Sequence, residues 1–308
     1  MEKILVIGSA NMDFVINVDR LPVKGETILS SSFGQHPGGK GANQAIAVAK
    51  LGGQVSMIGA VGKDKYAEQL LSNLNEFHVE TSGIARVDTN TGLAFIYVNK
   101  MGENCIVVSP GANNYLNTEQ IDKMLKSERD IGWIILQMEI PETFAEYVIK
   151  KAYSLGKKVV LNPAPAPPNG YPGELYTMLD LITPNETELQ KLTNLPVDSI
   201  EDIIYAAKIL HNKGAARVIV TCGKNGAVLV DYKNVSHFPA PEVNAIDSTA
   251  AGDTFTAAIV CALSENKSIN EAIEFANCAA SITVTREGAI SSIPTRDEVD
   301  RALIKVNN

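Results

Sequence analysis

The sequence predicts an α/β fold: a doubly wound, mainly parallel sheet flanked by helices, with a small antiparallel β lid. Three observations carry this expectation. Short apolar runs bounded by turn residues recur along the 308 residues, helical patterns separate most of them, and 23 glycines with 14 prolines suit many strand-to-helix turns. Segments 4–7, 55–58, 133–136, 158–161, 181–183, 218–221 and 227–230 read as buried strands. Between most of them, segments 42–51, 66–77, 142–155, 200–212 and 255–263 carry helical spacing. Strand and helix therefore alternate, as parallel architecture requires.

Two regions break that rhythm. Residues 14–18 with 26–33, and 92–99 with 104–108, alternate with period two, and Lys100-Met101-Gly102-Glu103 reads as a turn. They are expected to pair as a separate small sheet, formed by insertions 12–34 and 91–110 on one domain spanning 1–308. A parallel sheet leaves its ligand crevice at the carboxyl ends of its strands, where such a flap would act as a lid. The only proline-rich stretch, 163–173, is short enough to be a loop.

Composition narrows the function. Hydrophobic content of 45% and charged content of 20% fit an ordinary globular chain. A formal net charge of −8 argues against a nucleic-acid or anionic-membrane partner, because both need a basic face. Any anion must be caught locally. The N-terminal apolar run is too short for a signal peptide, and no stretch reaches the roughly 18 apolar residues of a membrane span, so a cytoplasmic protein is expected. Cys105, Cys222, Cys261 and Cys278 lack zinc spacing and read as reduced fillers.

The most informative segment is Asp247-Ser248-Thr249-Ala250-Ala251-Gly252-Asp253-Thr254-Phe255. Small residues at Ala250, Ala251 and Gly252 leave backbone N–H groups uncovered, and Phe255, Ile259, Val260 and Leu263 continue as a helix. Such a helix start attracts anions. Asp253 would then set a carboxylate base against a phosphate held by the same turn. An ordinary helix start capped by Asp247 or Ser248 is the alternative.

Gly34-x-x-x-x-Gly39-Lys40 matches the opening of a phosphate loop, but Gly41 stands where that motif needs Ser or Thr, and no strong strand precedes it. Consecutive glycines instead let backbone approach a ligand closely, and Asn43 offers both donors and acceptors to sugar hydroxyls. A tight turn packed on the sheet explains them too. Asn11 and Asp13 follow the first strand on one face, and Glu139 closes segment 133–136, so all three reach the crevice rim; an Asx turn or simple solvation would serve as well. Asn185 with Glu188 forms a capping box that also faces the crevice, where phosphates and hydrated magnesium would sit. Thr221-Cys222-Gly223-Lys224-Asn225-Gly226 ends a strand in a glycine turn, suited to phosphate or to a plain hairpin. Among four histidines no nucleophilic triad stands out, and no G-x-G-x-x-G follows the first strand.

With these segments in place, the chain resembles the ribokinase, or PfkB, family of carbohydrate kinases nearly end to end. Gly38-Gly39-Lys40-Gly41-Ala42-Asn43-Gln44-Ala45 and the Asp247–Phe255 segment are similar to its two signatures, and Asn11-Met12-Asp13, Asn162-Pro163-Ala164-Pro165 and Thr183-Pro184-Asn185-Glu186 support the match. The resemblance implies transfer of the ATP γ-phosphoryl to O5 of D-ribose. Asp253 would be the base and Ala250, Ala251 and Gly252 the anion hole. Asn11, Asp13, Gly39, Lys40, Asn43 and Glu139 would hold the sugar, while Asn185, Glu188, Thr221, Gly223, Gly226 and Asn277 would contact the nucleotide and its Mg2+. The resemblance also implies an activating K+ ion near Asp247, Thr249, Thr283, Gly288 and Ser292. Two departures are Ser248, where Thr or Ile is common, and Asn277, where His often stands. A family member acting on 2-deoxyribose, fructose or a nucleoside, or a non-catalytic sugar-binding protein, would share these motifs. Exposed flap edges need covering, and the resemblance implies pairing through them, as members of the family often do, so a homodimer is expected.

Overall fold

In the computed structural model, which describes residues 1–167 and 170–306, strand β1 (Lys3–Ile7) shows how the core is divided. Ile4 and Val6 face one hydrophobic cluster and Leu5 and Ile7 the other, all fully buried. A strand buried on both faces has to be apolar throughout, which is why these segments read as continuous runs.

After β1 come β2 (Asn11–Asn17), β3 (Ser32–Gly38), α1 (Lys40–Lys50), β4 (Val55–Val61), α2 (Lys65–Glu76) and β5 (Glu80–Arg86). Strands β6 (Gly92–Val98) and β7 (Asn104–Ser109) lead to α3 (Thr118–Ser127), β8 (Ile131–Leu136), α4 (Glu142–Ser154) and β9 (Lys158–Leu161). The chain continues through α5 (Gly173–Tyr176), β10 (Leu181–Ile182), α6 (Glu186–Thr193), α7 (Ile200–Asn212), β11 (Arg217–Thr221), β12 (Ala227–Asp231) and β13 (Val235–Phe238). It ends with α8 (Ala251–Ser264), α9 (Ile269–Thr283) and α10 (Arg296–Val306).

The main sheet has nine strands in the order β13-β12-β11-β10-β9-β8-β1-β4-β5. It is parallel from β11 to β5, and β12 and β13 add antiparallel at one edge. Helices α1, α2, α8, α9 and α10 supply buried residues to the Ile4 face, and α3 to α7 to the Leu5 face. This is the doubly wound arrangement expected. The proline-rich stretch 163–173 connects β9 to α5, and its residues 168 and 169 lie outside the described residues.

A second sheet has the order β3-β2-β6-β7. Its pairs β2–β3 and β6–β7 are antiparallel, and a parallel β2–β6 seam joins them. The partner strand of β2 is Ser32–Gly38, whereas the expected strand 26–33 lies mostly in loop. The physical reason is that the Glu26 carboxylate pairs with Arg20 and accepts from the Val23 amide, closing a local turn, while Leu29 is left 90% exposed.

Candidate active site

Glycines bring the first helix of the site close to the sheet. Gly39 caps α1 at φ +92°, and a Cβ there would lie 2.7 Å from the Asn11 amide nitrogen. One on Gly41 would lie 2.6 Å from the carbonyl carbon of Gly8. Without those side chains the first turn of α1 presses on the β1–β2 connection, and Ala42 N donates to Ser9 O at 3.0 Å. The tight-turn reading is therefore real, and Gly34 lies inside β3 rather than in a phosphate loop.

Opposite the start of α1, α8 begins at Ala251 after Ala250 in the left-handed region, φ +61°. Neither Asp247 nor Ser248 caps it, and among the described residues the Gly252 and Asp253 amides have no protein acceptor. Space over Gly252 is open, so this positive helix end faces outward. Alanines at 45, 47, 257, 258 and 262 are buried in the cluster shared by α1 and α8. Such small side chains let the two helices approach, and side chains at the start of α1 reach Asp253. Asp253 is only 6% exposed; Asn43 Nδ2 donates to its Oδ2 at 3.2 Å, and Gln44 Nε2 to its Oδ1 at 2.9 Å.

The other predicted sugar-side residues meet here. Glu139 Oε2 accepts from Ser9 Oγ at 2.6 Å and from Asn11 Nδ2 and Lys40 N, each at 3.3 Å. Burial, then the nearby carboxylates of Glu139 and Asp253, push the Asp13 carboxyl up to about 7 against the opposing pull of Lys40. Burial acts to lower the Lys40 ammonium, yet Asp253, Glu139, Glu188 and Asp13 outweigh it and raise its pKa. Two buried acceptor atoms, Asp13 Oδ1 and Asn43 Oδ1, have no partner among the described residues. A ligand bearing several hydroxyls would supply the missing donors.

Of the residues predicted to contact a nucleotide, Asn185 caps α6 through the predicted capping box, with Glu188 Oε2 accepting from Asn185 N at 2.9 Å. Burial raises the Glu188 pKa against the opposing Asn185 amide and Lys40. Asn185 bridges to Thr221, which brings the two turns together. The glycine turn closes the antiparallel β11–β12 hairpin, as the structural alternative had it. Gly223, at φ +51°, has open space around it, whereas a Cβ on Gly226 would lie 2.5 Å from Ala240 N. Asn277 donates from Nδ2 to Phe238 O at 3.0 Å and Pro239 O at 3.4 Å, so its amide holds the end of β13.

Three of the five predicted ion ligands come together. Asp247 Oδ1 accepts from Thr249 N at 2.9 Å and Thr249 Oγ1 at 2.6 Å, and its Oδ2 from Gly288 N at 2.9 Å. Burial acts to raise its pKa, but these hydrogen bonds prevail and lower it. Thr283 and Ser292 are fully buried, and their hydroxyls turn to Thr254 and Ala279, and to Ala289. Among the described residues no cluster of three or more His, Cys, Asp or Glu could hold a metal ion.

Five side chains of the site were not singled out from sequence: Ser9, Gln44, Asn113, Gln137 and Asn162. Asn113 donates from Nδ2 to Asn11 Oδ1 at 2.7 Å and accepts from Ala10 N at 3.0 Å. Gln44 and Asn162 stand inside quoted motifs, and Gln137 is the first polar residue after the apolar strand β8, so all three left a faint signal.

A doubly wound sheet, a small second β sheet and the Asp13, Glu139 and Asp253 carboxylates gathered near an open helix end define an α/β protein with a candidate active site. The chain matches the pfkB family of carbohydrate kinases over residues 1–296, and it belongs to that family. It is 41% identical over 301 residues to a ribokinase of Haemophilus influenzae, covering 97% of each chain. The crystal structure of ribokinase from Thermotoga maritima is similar at a TM-score of 0.89 and 39% identity, covering 99% of this chain and 100% of that one. The structure of Arabidopsis thaliana ribokinase complexed with ribose and ATP also gives 0.89, at 33% identity and 98% of each chain. Among the described residues no helix is long and apolar enough to cross a membrane.

Proposed function

We propose that this chain is an ATP-dependent ribokinase that makes D-ribose 5-phosphate. The observation that carries the reading is the Asp253 carboxylate, set in the first turn of α8 beside two buried acceptors that await hydroxyl donors. A relative of near-equal length was solved with ribose and ATP, which supports both substrates.

In this reading Asn11, Asp13, Gly39, Lys40, Asn43 and Glu139 hold ribose, and Asp253 takes the proton from O5. That oxygen attacks the γ-phosphorus in line, the bond to the bridging oxygen of ADP breaks, and Asp253 leaves the step protonated. The backbone turn at Ala250, Ala251 and Gly252 holds the transferring oxygens; the Ala251 amide donates to Ser248 O at 3.2 Å, so the Gly252 amide is the readier donor. A general base contributes roughly 10²–10⁴ in rate and one oxyanion donor about 2.7–4 kcal/mol, so positioning by the cleft supplies much of the remainder. Asn185, Thr221, Gly223, Gly226 and Asn277 border the nucleotide.

Mg2+ on the phosphates would neutralise charge that builds there. Glu188, with Asn185 fixing one of its oxygens, is the residue we assign to it. K+ is assigned to the loop that Asp247, Thr249 and Gly288 knit together, where the Asp247 carboxylate supplies a hard oxygen donor. Thr283 and Ser292 would take part there through their carbonyls. The flap would close over bound sugar as a lid on the single domain 1–308, and two copies would pair through it. Free cysteines and ATP both suit the cytoplasm.

The test is ADP release with ribose, 2-deoxyribose, fructose and a nucleoside, each with and without K+. Ribose is expected to give the highest kcat/KM. Absence of release with every acceptor would leave a binding protein, and a preference for 2-deoxyribose would move the substrate within the family.

A further inference from the structure

Three side-chain amides, of Asn162, Gln44 and Gln137, form a hydrogen-bonded chain that reaches Asp253. Asn162 Nδ2 donates to the Thr183 carbonyl at 3.0 Å, which fixes that amide and turns its Oδ1 toward Gln44. Gln44 must then present its NH2 group, and Nε2 donates to Asn162 Oδ1 at 3.2 Å and to Asp253 Oδ1 at 2.9 Å. Its Oε1 is left to accept from Gln137 Nε2, at 2.6 Å. Gln137 Oε1 has no partner among the described residues and lies where a Cβ on Gly8 would be, so glycine at that position makes room for it. Gln44 and Gln137 are fully buried. A backbone carbonyl that cannot rotate thus sets the orientation of three amides in turn.

We propose that Gln44 is a positioning residue for the Asp253 carboxylate, itself held by Asn162 and Gln137. The proposal rests on Asp253 acting as the base. Gln44 is fully buried beside Asn43, the carboxylate's other partner; it limits rotation of the carboxylate by holding one oxygen, while the other accepts from Asn43 Nδ2.

The test compares Gln44→Met, Gln44→Met with Gln137→Met, and Asp253→Asn in the full chain, reading kcat, both KM values and thermal midpoint. Methionine keeps length and volume and removes the hydrogen bonds. Gln44→Met is expected to lower kcat by about 10- to 100-fold, the scale of a misplaced reacting group, with KM for ATP and ribose within about twofold. It also strands the Gln137 amide. The double variant removes that orphan, so it should regain thermal stability without regaining kcat, and it carries the test if the single variant does not fold. Recovery of kcat together with stability would reduce Gln44 to a packing role and overturn the proposal. Near-normal kcat in Gln44→Met, beside a collapsed Asp253→Asn, would overturn the positioning role and leave the base intact. Near-normal turnover in Asp253→Asn would remove the base itself and the proposal with it.

Discussion

Asn43 Nδ2 donates to Asp253 Oδ2 at 3.2 Å, joining residues 210 positions apart in the chain. This contact ties the glycine-rich start of α1 to the first turn of α8. Each signature segment alone has a structural explanation: Gly38–Gln44 is a tight turn on the sheet, and Ala250–Asp253 is a helix start. Only together do they enclose a carboxylate between amide donors and an open helix end. Neither segment shows that separately.

Replacing Asp253 by Asn keeps shape and removes the proposed base. Turnover should fall about 10²–10⁴-fold, while ATP affinity changes little because the amides of α8 remain. Steady-state ADP release gives the first quantity and calorimetric titration with ATP the second. A loss confined to ATP affinity would reassign Asp253 to nucleotide binding.

Asp13 makes stability depend on pH. Its carboxyl rises from 3.8 to about 7 on folding, with burial as the first cause. Between those values the folded chain binds the proton that the unfolded chain has lost, so stability decreases as pH rises through this window and levels off above it. Asp13→Asn removes the term. Its thermal midpoint, measured without sugar from about pH 5 to about pH 8, should fall less steeply than that of the native chain. Parallel curves for the two proteins would contradict the assignment.

The fold was legible because its central strands are buried on both faces, leaving uninterrupted apolar runs such as Ile4–Leu5–Val6–Ile7. Edge elements were not. Strand β5 has half-exposed positions and a central glycine, and β13 is four residues long with alternate exposure, so neither shows an apolar run. In the site, residues at strand ends and in glycine turns could be picked out, since those places gather ligands in α/β proteins. Asn113 could not, and Gln137 left only its place after β8, because their importance lies in contacts to Asn11 and Gln44 across 102 and 93 positions. Thr283 and Ser292 show a further limit: sequence does not tell that their hydroxyls are buried against nearby carbonyls, that of Ala279 in α9 and that of Ala289 in the loop after it.

Gly39 combines two constraints that a side chain would violate. Its φ of +92° disfavours any L side chain, and the added Cβ would sit 2.7 Å from Asn11 N, an atom of the backbone that cannot swing aside. Gly39→Ala should cost about 1–3 kcal/mol in urea unfolding, as overpacked sites do, and should raise the KM for ribose more than that for ATP. An unchanged unfolding midpoint would mean that α1 shifts freely, against the close packing described.

Register places Asp13, Val15, Ala94, Ile96, Ile106 and Val108 on one face of the flap. Of these, Ile106 and Val108 are 51% and 40% exposed on β7, an edge strand exposed along its whole length. An apolar edge of that kind favours strand-to-strand association unless something covers it. A second copy, meeting the same face, would bury these side chains and steady the flap. The native chain should therefore sediment as a dimer, and Ile106→Lys, which sets a charge in the middle of the edge, should sediment as a monomer with unchanged circular dichroism. Slower hydrogen exchange in β6 and β7 on adding ribose should survive in that variant if the lid closes within one subunit. Loss of that protection along with the dimer would instead make closure a property of the pair.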